Sequence, residues 1–167
     1  LSLSDASTTI SSWIDTKYVS LPSDQMVAVT LTNKNGTFEF TKDDAGNWHM
    51  KDLAPEEILN DNNVKSLASQ AGSIYMSRPL GKREKPEYGL SQPNAIVTVQ
   101  KKDAQGNISS YTVTIGAKDE TDNTYVVKSS ESPYYVRVAA YHFTGWMEWT
   151  RQDFLAPPPT ATPTPTA

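Results

Sequence analysis

Apolar residues between Gln25 and Met50 fall on alternate positions: Val27, Val29 and Leu31, then Phe38 and Phe40 beyond an Asn35-Gly36 turn. A period of two sends successive side chains to opposite faces of a strand, so this stretch reads as a β-meander. A second turn, Asp43-Asp44-Ala45-Gly46-Asn47, leads into Trp48-His49-Met50. The period then changes. Val64, Leu67, Ala68, Ala71 and Tyr75 recur at helical spacing behind the candidate caps Asp61 and Asn62, which predicts one amphipathic helix ending before Pro79.

Alternation returns downstream. Ala95 to Gln100 and Tyr111 to Ile115 form a hairpin across Asp103-Ala104-Gln105-Gly106-Asn107, and Tyr125 to Lys128 pairs with Tyr134 to Val138 across Ser129 to Pro133. A second helix is expected from Ala139 to Trp149. Runs of strands separated by helices, rather than strict alternation, give an α+β fold: a mostly antiparallel sheet from two strand-run-plus-helix units, with about seven strands. Its expected core holds Val29, Leu31, Phe38, Phe40, Trp48, Leu67, Val97, Val99, Val113 and Ile115.

Residues 1–24 read as a lead-in, 25–155 as a single α+β domain, and 156–167 as a Pro/Thr-rich extended tail. Proline fixes φ and removes backbone donors, and nothing in the tail can build a core, so residues after about Pro158 are expected to pack on nothing in their own subunit. One internal similarity stands out: residues 13–22 and 149–158 both fit W-x-x-x-x-[YF]-[VL]-x-x-P, as expected of a module cut from a longer array. A chain beginning at Leu1 fits a processed or excised fragment.

The 167 residues suffice to bury a core without staples, and a 37% hydrophobic, 20% charged composition is that of a folded domain, not a disordered chain. With 15 basic against 19 acidic residues there is no electrostatic footprint for a phosphate backbone, and nucleic acid is not an expected partner. Cysteine is absent, which removes thiolate nucleophiles, disulfides and Cys-type zinc sites together. No apolar run approaches the roughly 20 residues of a membrane helix, so membrane contact is expected only through an anchor outside this stretch.

Catalytic signatures are missing. His49 and His142 lack metal-site spacing, no serine sits in G-x-S-x-G, and Gly72 to Lys82 lacks the spacing of a phosphate loop. Asp43-Asp44 and Asp119-Glu120-Thr121-Asp122 are acidic turns without the ligand spacing of an EF-hand, and read as solvated turns. Asn35-Gly36-Thr37 and Asn107-Ile108-Ser109 match the glycosylation acceptor pattern. No cofactor, metal or catalytic residue is expected. Arg78, Lys82, Arg83 and Lys85 form a basic run that reads as an exposed connector, with a docking surface as the second reading. The aromatic residues Tyr134, Tyr135, Tyr141, Phe143, Trp146 and Trp149 suit a core, and are also the candidate interface.

Tyr88-Gly89-Leu90-Ser91-Gln92-Pro93 reads as a structural clip feeding the strand that starts near Ala95. Glycine permits a backbone that other residues resist, proline restricts Gln92, and in an extended segment Tyr88 and Leu90 face one apolar layer while Gly89 and Ser91 turn outward.

Asn47-Trp48 after a hairpin, Tyr88-Gly89-Leu90 with Pro93 before Val97 and Val99, Ile115-Gly116, Tyr125-Val126 and Tyr135-Val136 together resemble the bacterial domain of unknown function 4340 family, envelope auxiliary proteins of gliding-motility-type ABC transporters. The resemblance covers residues 25–155 and brings no catalytic residues with it. It implies a non-enzymatic extracytoplasmic module of the cell envelope or surface, acting by protein binding or assembly. The implied partners are envelope or transporter components, or copies of itself. The alternative is an envelope-glycan-acting enzyme whose paired carboxylates carry no sequence signature.

Overall fold

A computed structural model describes residues 15–157. Its strands are β1 (Lys17–Ser20), β2 (Met26–Asn33), β3 (Gly36–Lys42), β4 (Trp48–Met50), β5 (Ser73–Tyr75), β6 (Arg78–Gly81), β7 (Ala95–Lys102), β8 (Ile108–Asp119), β9 (Thr124–Ser129) and β10 (Tyr135–Ala139), with one helix, α1 (Asp61–Gly72), between β4 and β5. Eight strands form one sheet in the order β4-β3-β2-β7-β8-β9-β10-β6, and β1 pairs with β5 in a separate ribbon. All of these pairings are antiparallel, and the fold is a sheet-rich α+β. The hairpins lie at the turns expected from the sequence, although the strands among the described residues number ten where about seven were expected.

One face of the sheet carries the main core. All ten side chains expected there are buried, and α1 lies over them through Val64, Leu67, Ala68 and Ala71. Val27 departs from the expected alternation. The β2–β7 register shifts between Met26 and Ala28, so this bulge leaves Val27 half-buried and places Met26 in the core beside Val29 and Leu31. The opposite face presents half-buried Thr30, Thr32, Thr98, Thr112 and Thr114 over its centre. Over β9, β10 and β6 it holds a second, smaller cluster of Tyr88, Val126 and Tyr135 with Leu80 and Leu90.

The helix begins one residue earlier than expected. Asn60, with β-region dihedrals, accepts the Asn62 N–H as N-cap, and Asp61 instead pairs with Lys65 one turn on. It also stops earlier. Tyr75, expected on its apolar face, stands in β5 with 53% of its surface exposed, because Val19 of β1 pairs with Ile74 and draws the chain into a ribbon. Residues read as a lead-in thus contribute a strand. The two ends of the described chain clamp α1 between them: Leu21 N–H donates to the Gly72 carbonyl at its C-terminus (2.7 Å), and Asn60 N–H donates to the Phe154 carbonyl at its N-terminus (2.8 Å).

The second helix expected over 139–149 is not formed. Ala140–Phe143 make a single 3-10 turn, Gly145 takes φ of +90°, and a further 3-10 turn spans Arg151–Phe154 behind a Thr150–Asp153 capping box. Gly145 breaks the helical path, and a Cβ there would strike the Trp149 ring. The segment wraps the core instead of spiralling over it, inserting Phe143, Trp146 and Phe154 one after another. Phe154 meets Phe40 at 4.7 Å and Phe38 at 5.4 Å between ring centroids.

Of the tail, Ala156 donates to the Ile58 carbonyl, extending the isolated Leu59–Leu155 bridge, while residues 158–167 lie outside the described residues. The two W-x-x-x-x-[YF]-[VL]-x-x-P segments, as far as they are described, dock at opposite ends of α1. Val19 is buried in the first and Phe154 in the second.

Candidate functional site

The expected aromatic interface divides into interior and surface. Tyr135, Phe143 and Trp146 are buried and Trp149 is half-buried with its ring 5.4 Å from Phe154, so these four build the fold and are corrected from interface to core. Tyr134 and Tyr141 remain on the surface, at 44% and 80% exposure. They flank β10, Tyr134 just before it and Tyr141 in the turn just after it, so they mark two separate surfaces.

At the first surface, Tyr141 and Tyr75 line a common cleft of about 450 Å³ between the end of α1, β5 and the turn after β10. The polar side chains around it are Ser69, Ser73, Ser77, Gln70 and His142, and none of the lining residues is charged. Two of these groups are oriented by the core. Trp146 Nε1–H, which can only donate, bonds Gln70 Oε1 at 2.7 Å and leaves the Gln70 amide NH2 uncommitted. The Gln70 backbone carbonyl, which can only accept, meets His142 Nε2 at 3.0 Å; this assigns the proton to Nε2 and leaves Nδ1 as an acceptor in the neutral ring. Sequence reading found Tyr141 but missed Tyr75, which it had placed on the buried face of the helix.

At the second surface, Lys82 Nζ sits 5.0 Å above the Tyr134 ring, Lys128 5.6 Å from Tyr135, and Lys85 6.0 Å from Tyr88. Tyr135 donates to Glu84 (3.0 Å), and burial together with that carboxylate raises its pKa above the usual phenol value. The clip fastens this surface. Pro86–Tyr88 form a 3-10 turn closed by Gly89 at φ +65°, Tyr88 is buried 5.4 Å from Tyr135, and Leu90 packs on the same cluster. Tyr88 and Leu90 do share a layer, but through a tight turn and not an extended segment. Gly89 faces inward, contrary to expectation: a Cβ there would meet Ala117 at 3.1 Å. Ser91 is exposed as expected, and beyond half-buried Pro93 the Asn94 side chain donates to the Gly116 carbonyl (2.8 Å), setting the register of β7 on β8.

The remaining candidates are committed to structure. Asp43 and Asp103 occupy equal places in two K-D-x-x-G-N turns, at the same end of the sheet on either side of the start of β2. Each carboxylate accepts from the amide and side chain of its own Asn47 or Asn107. His49 Nε2 adds a contact to Asp43 at 2.9 Å and, with Asn47, holds its pKa at about 2; Asp103 is also lowered, chiefly by Asn107. Asp119 and Asp122 face Arg137 and Arg78, at 3.5 and 3.0 Å. Among the described residues no group of three His, Asp or Glu side chains converges as metal ligands, and no helix is long and apolar enough to cross a membrane. Both asparagines of the glycosylation pattern have their side-chain amides engaged, Asn35 with the Glu148 carbonyl and Asn107 with Asp103.

Comparison with known protein families, with curated proteins and with solved structures finds no match.

Proposed function

We propose that this chain is a non-enzymatic, extracytoplasmic module of the bacterial cell envelope or surface that acts by protein binding or assembly, as its resemblance to auxiliary proteins of gliding-motility-type ABC transporters implies. The observation that carries this reading is the Tyr134 surface: a tyrosine nearly half exposed under Lys82, whose connector also carries Arg83 and Lys85, on a protein whose net charge is −4. Tyrosine and arginine are the residues most often dominant in protein interfaces, and the surrounding cations suit an acidic partner surface. The pKa pattern leans the same way. Each described carboxylate with a shifted pKa, Asp43, Glu57, Asp103, Asp119 and Asp153, is shifted down, the reverse of what a general acid needs. The proposal also takes the chain as two units of one plan, β2–β4 with α1 and β7–β10 with the 3-10 turns. The twin K-D-x-x-G-N turns support that pairing.

The test is site-specific photo-cross-linking from position 134 in the cells that make the protein, against the same probe at Ile108, which is 64% exposed elsewhere on the sheet. A discrete protein adduct from position 134 that disappears on Lys82→Glu with Arg83→Glu supports the reading. Equal cross-linking at the two positions, or turnover of an envelope glycan that vanishes when one carboxylate is replaced, sinks it.

A further inference from the structure

The cleft between Tyr75 and Tyr141 has a chemistry that the Tyr134 surface lacks. Its volume of about 450 Å³ lies within the roughly 300–1,000 Å³ typical of small-molecule sites. The charged residues that line the other clefts, such as Lys42, Asp43 and Lys102 at the twin turns or Lys34 and Glu148 beside β2, are missing from it. What it offers is two exposed aromatic rings, three serine hydroxyls, an amide NH2 whose orientation Trp146 fixes, and an imidazole whose Nε2–H the Gln70 carbonyl holds in place.

We infer that this cleft is a binding site for a neutral saccharide, with Tyr75 and Tyr141 as stacking platforms for pyranose rings and Gln70 and His142 as a donor and acceptor for ring hydroxyls. A pyranose has an apolar C–H face and an equator of hydroxyl groups that each donate and accept. Aromatic rings cover the first, because a tyrosine ring offers large apolar area at little cost in side-chain entropy. Polar side chains match the second, and a lining without lysine or arginine selects against phosphorylated or carboxylated ligands, which need cations. Tyr75 alternates with buried Ile74 along β5 and so turns outward, which leaves its ring free for a ligand. Gln70 and His142 are positioned before any ligand arrives, so little ordering remains on binding. The site lies at the opposite end of β10 from Tyr134, and the inference stands whether or not that surface binds a protein.

The experiment is titration of the full chain with cellobiose, N,N′-diacetylchitobiose and maltose, followed by amide chemical shifts. The expected result is saturable millimolar binding of at least one disaccharide, with shifts centred on residues 69–77 and 138–142. Tyr75→Ala and Tyr141→Ala should each weaken it by roughly tenfold, Tyr75→Phe and Tyr141→Phe by no more than about threefold, and Ile108→Ala not at all. Both rings are exposed, so the melting temperatures of these variants should stay at the parent value, separating loss of binding from loss of fold. Absence of saturation with all three sugars, binding that survives both alanine changes, or Phe variants as damaged as Ala variants would each overturn the inference.

Discussion

The two faces of the eight-stranded sheet are built on different scales. Under α1, the core runs from Trp48 and Met50 near one edge to Val136 and Val138 near the other, and both chain ends are drawn into it through Val19 and Phe154. On the opposite face, apolar packing is confined to Tyr88, Val126 and Tyr135 with Leu80 and Leu90, and most of the area is left to threonines. The large face sets whether the molecule folds. The small face sets where the basic connector lies, because Tyr88 pins the loop that carries Lys82, Arg83 and Lys85.

The sharpest way to break this contrast is to damage each face once. Phe154→Ala removes a ring with no exposed surface that touches Phe38 and Phe40, and should cost about 3–5 kcal/mol in urea denaturation. A cost under about 1 kcal/mol would mean that the last turn is a lid on the core and not part of it. Gly89→Val places a β-branched side chain at φ +65° against Ala117 and should cost more than about 1 kcal/mol. Faster amide exchange should accompany it over residues 82–93, while β7 and β8 stay protected. Equal loss of protection across the sheet would erase the distinction between the faces. Unchanged stability with loss of partner binding would instead make the clip a functional loop.

A smaller effect separates the twin turns. The folded pKa of Asp43, about 2, lies below its ordinary 3.8, so the turn is stabilised above that ordinary value and loses the contribution as pH falls towards 2. His49→Ala should move the Asp43 titration upward by NMR and leave Asp103, whose turn has no histidine partner, where it was. Coincident movement of both would show that the turns are coupled through the cleft between them. Smallest of all, Ser91→Ala should stay within about 0.5 kcal/mol of the parent, since Ser91 is exposed next to the clip but outside it.

The large face was the legible one. Period-two alternation identifies Val29, Leu31, Phe38, Phe40, Val97, Val99, Val113 and Ile115 because a residue's neighbours two positions away share its face, which needs no knowledge of tertiary contacts. The bulge at Val27 left no signal, since one extra residue moves Met26 inward without changing composition. The end of α1 was misplaced because Tyr75 continues the helical period by coincidence. What overrides the period is a backbone pairing with β1, more than fifty residues earlier in the chain, and local pattern cannot report it. An aromatic run such as Tyr141 to Trp149 fits a buried helix or a wrapping coil equally well, and Gly145 decides between them only once its φ is known. The Tyr75–Tyr141 cleft joins residues 66 positions apart across two such misread segments, so its two halves could not be brought together by sequence reading alone.

The clamp on α1 bears on biosynthesis. The carbonyl that caps Asn60 belongs to Phe154, so the front of the helix stays open until the ribosome has released a stretch almost a hundred residues further on. At roughly 5–20 residues per second that is an interval of about 5–20 s during which Phe38 and Phe40, already synthesised, lack the ring that covers them. Until that stretch arrives the sheet carries a hydrophobic gap, and it is in that interval, rather than in the finished fold, that the chain is most open to misassociation.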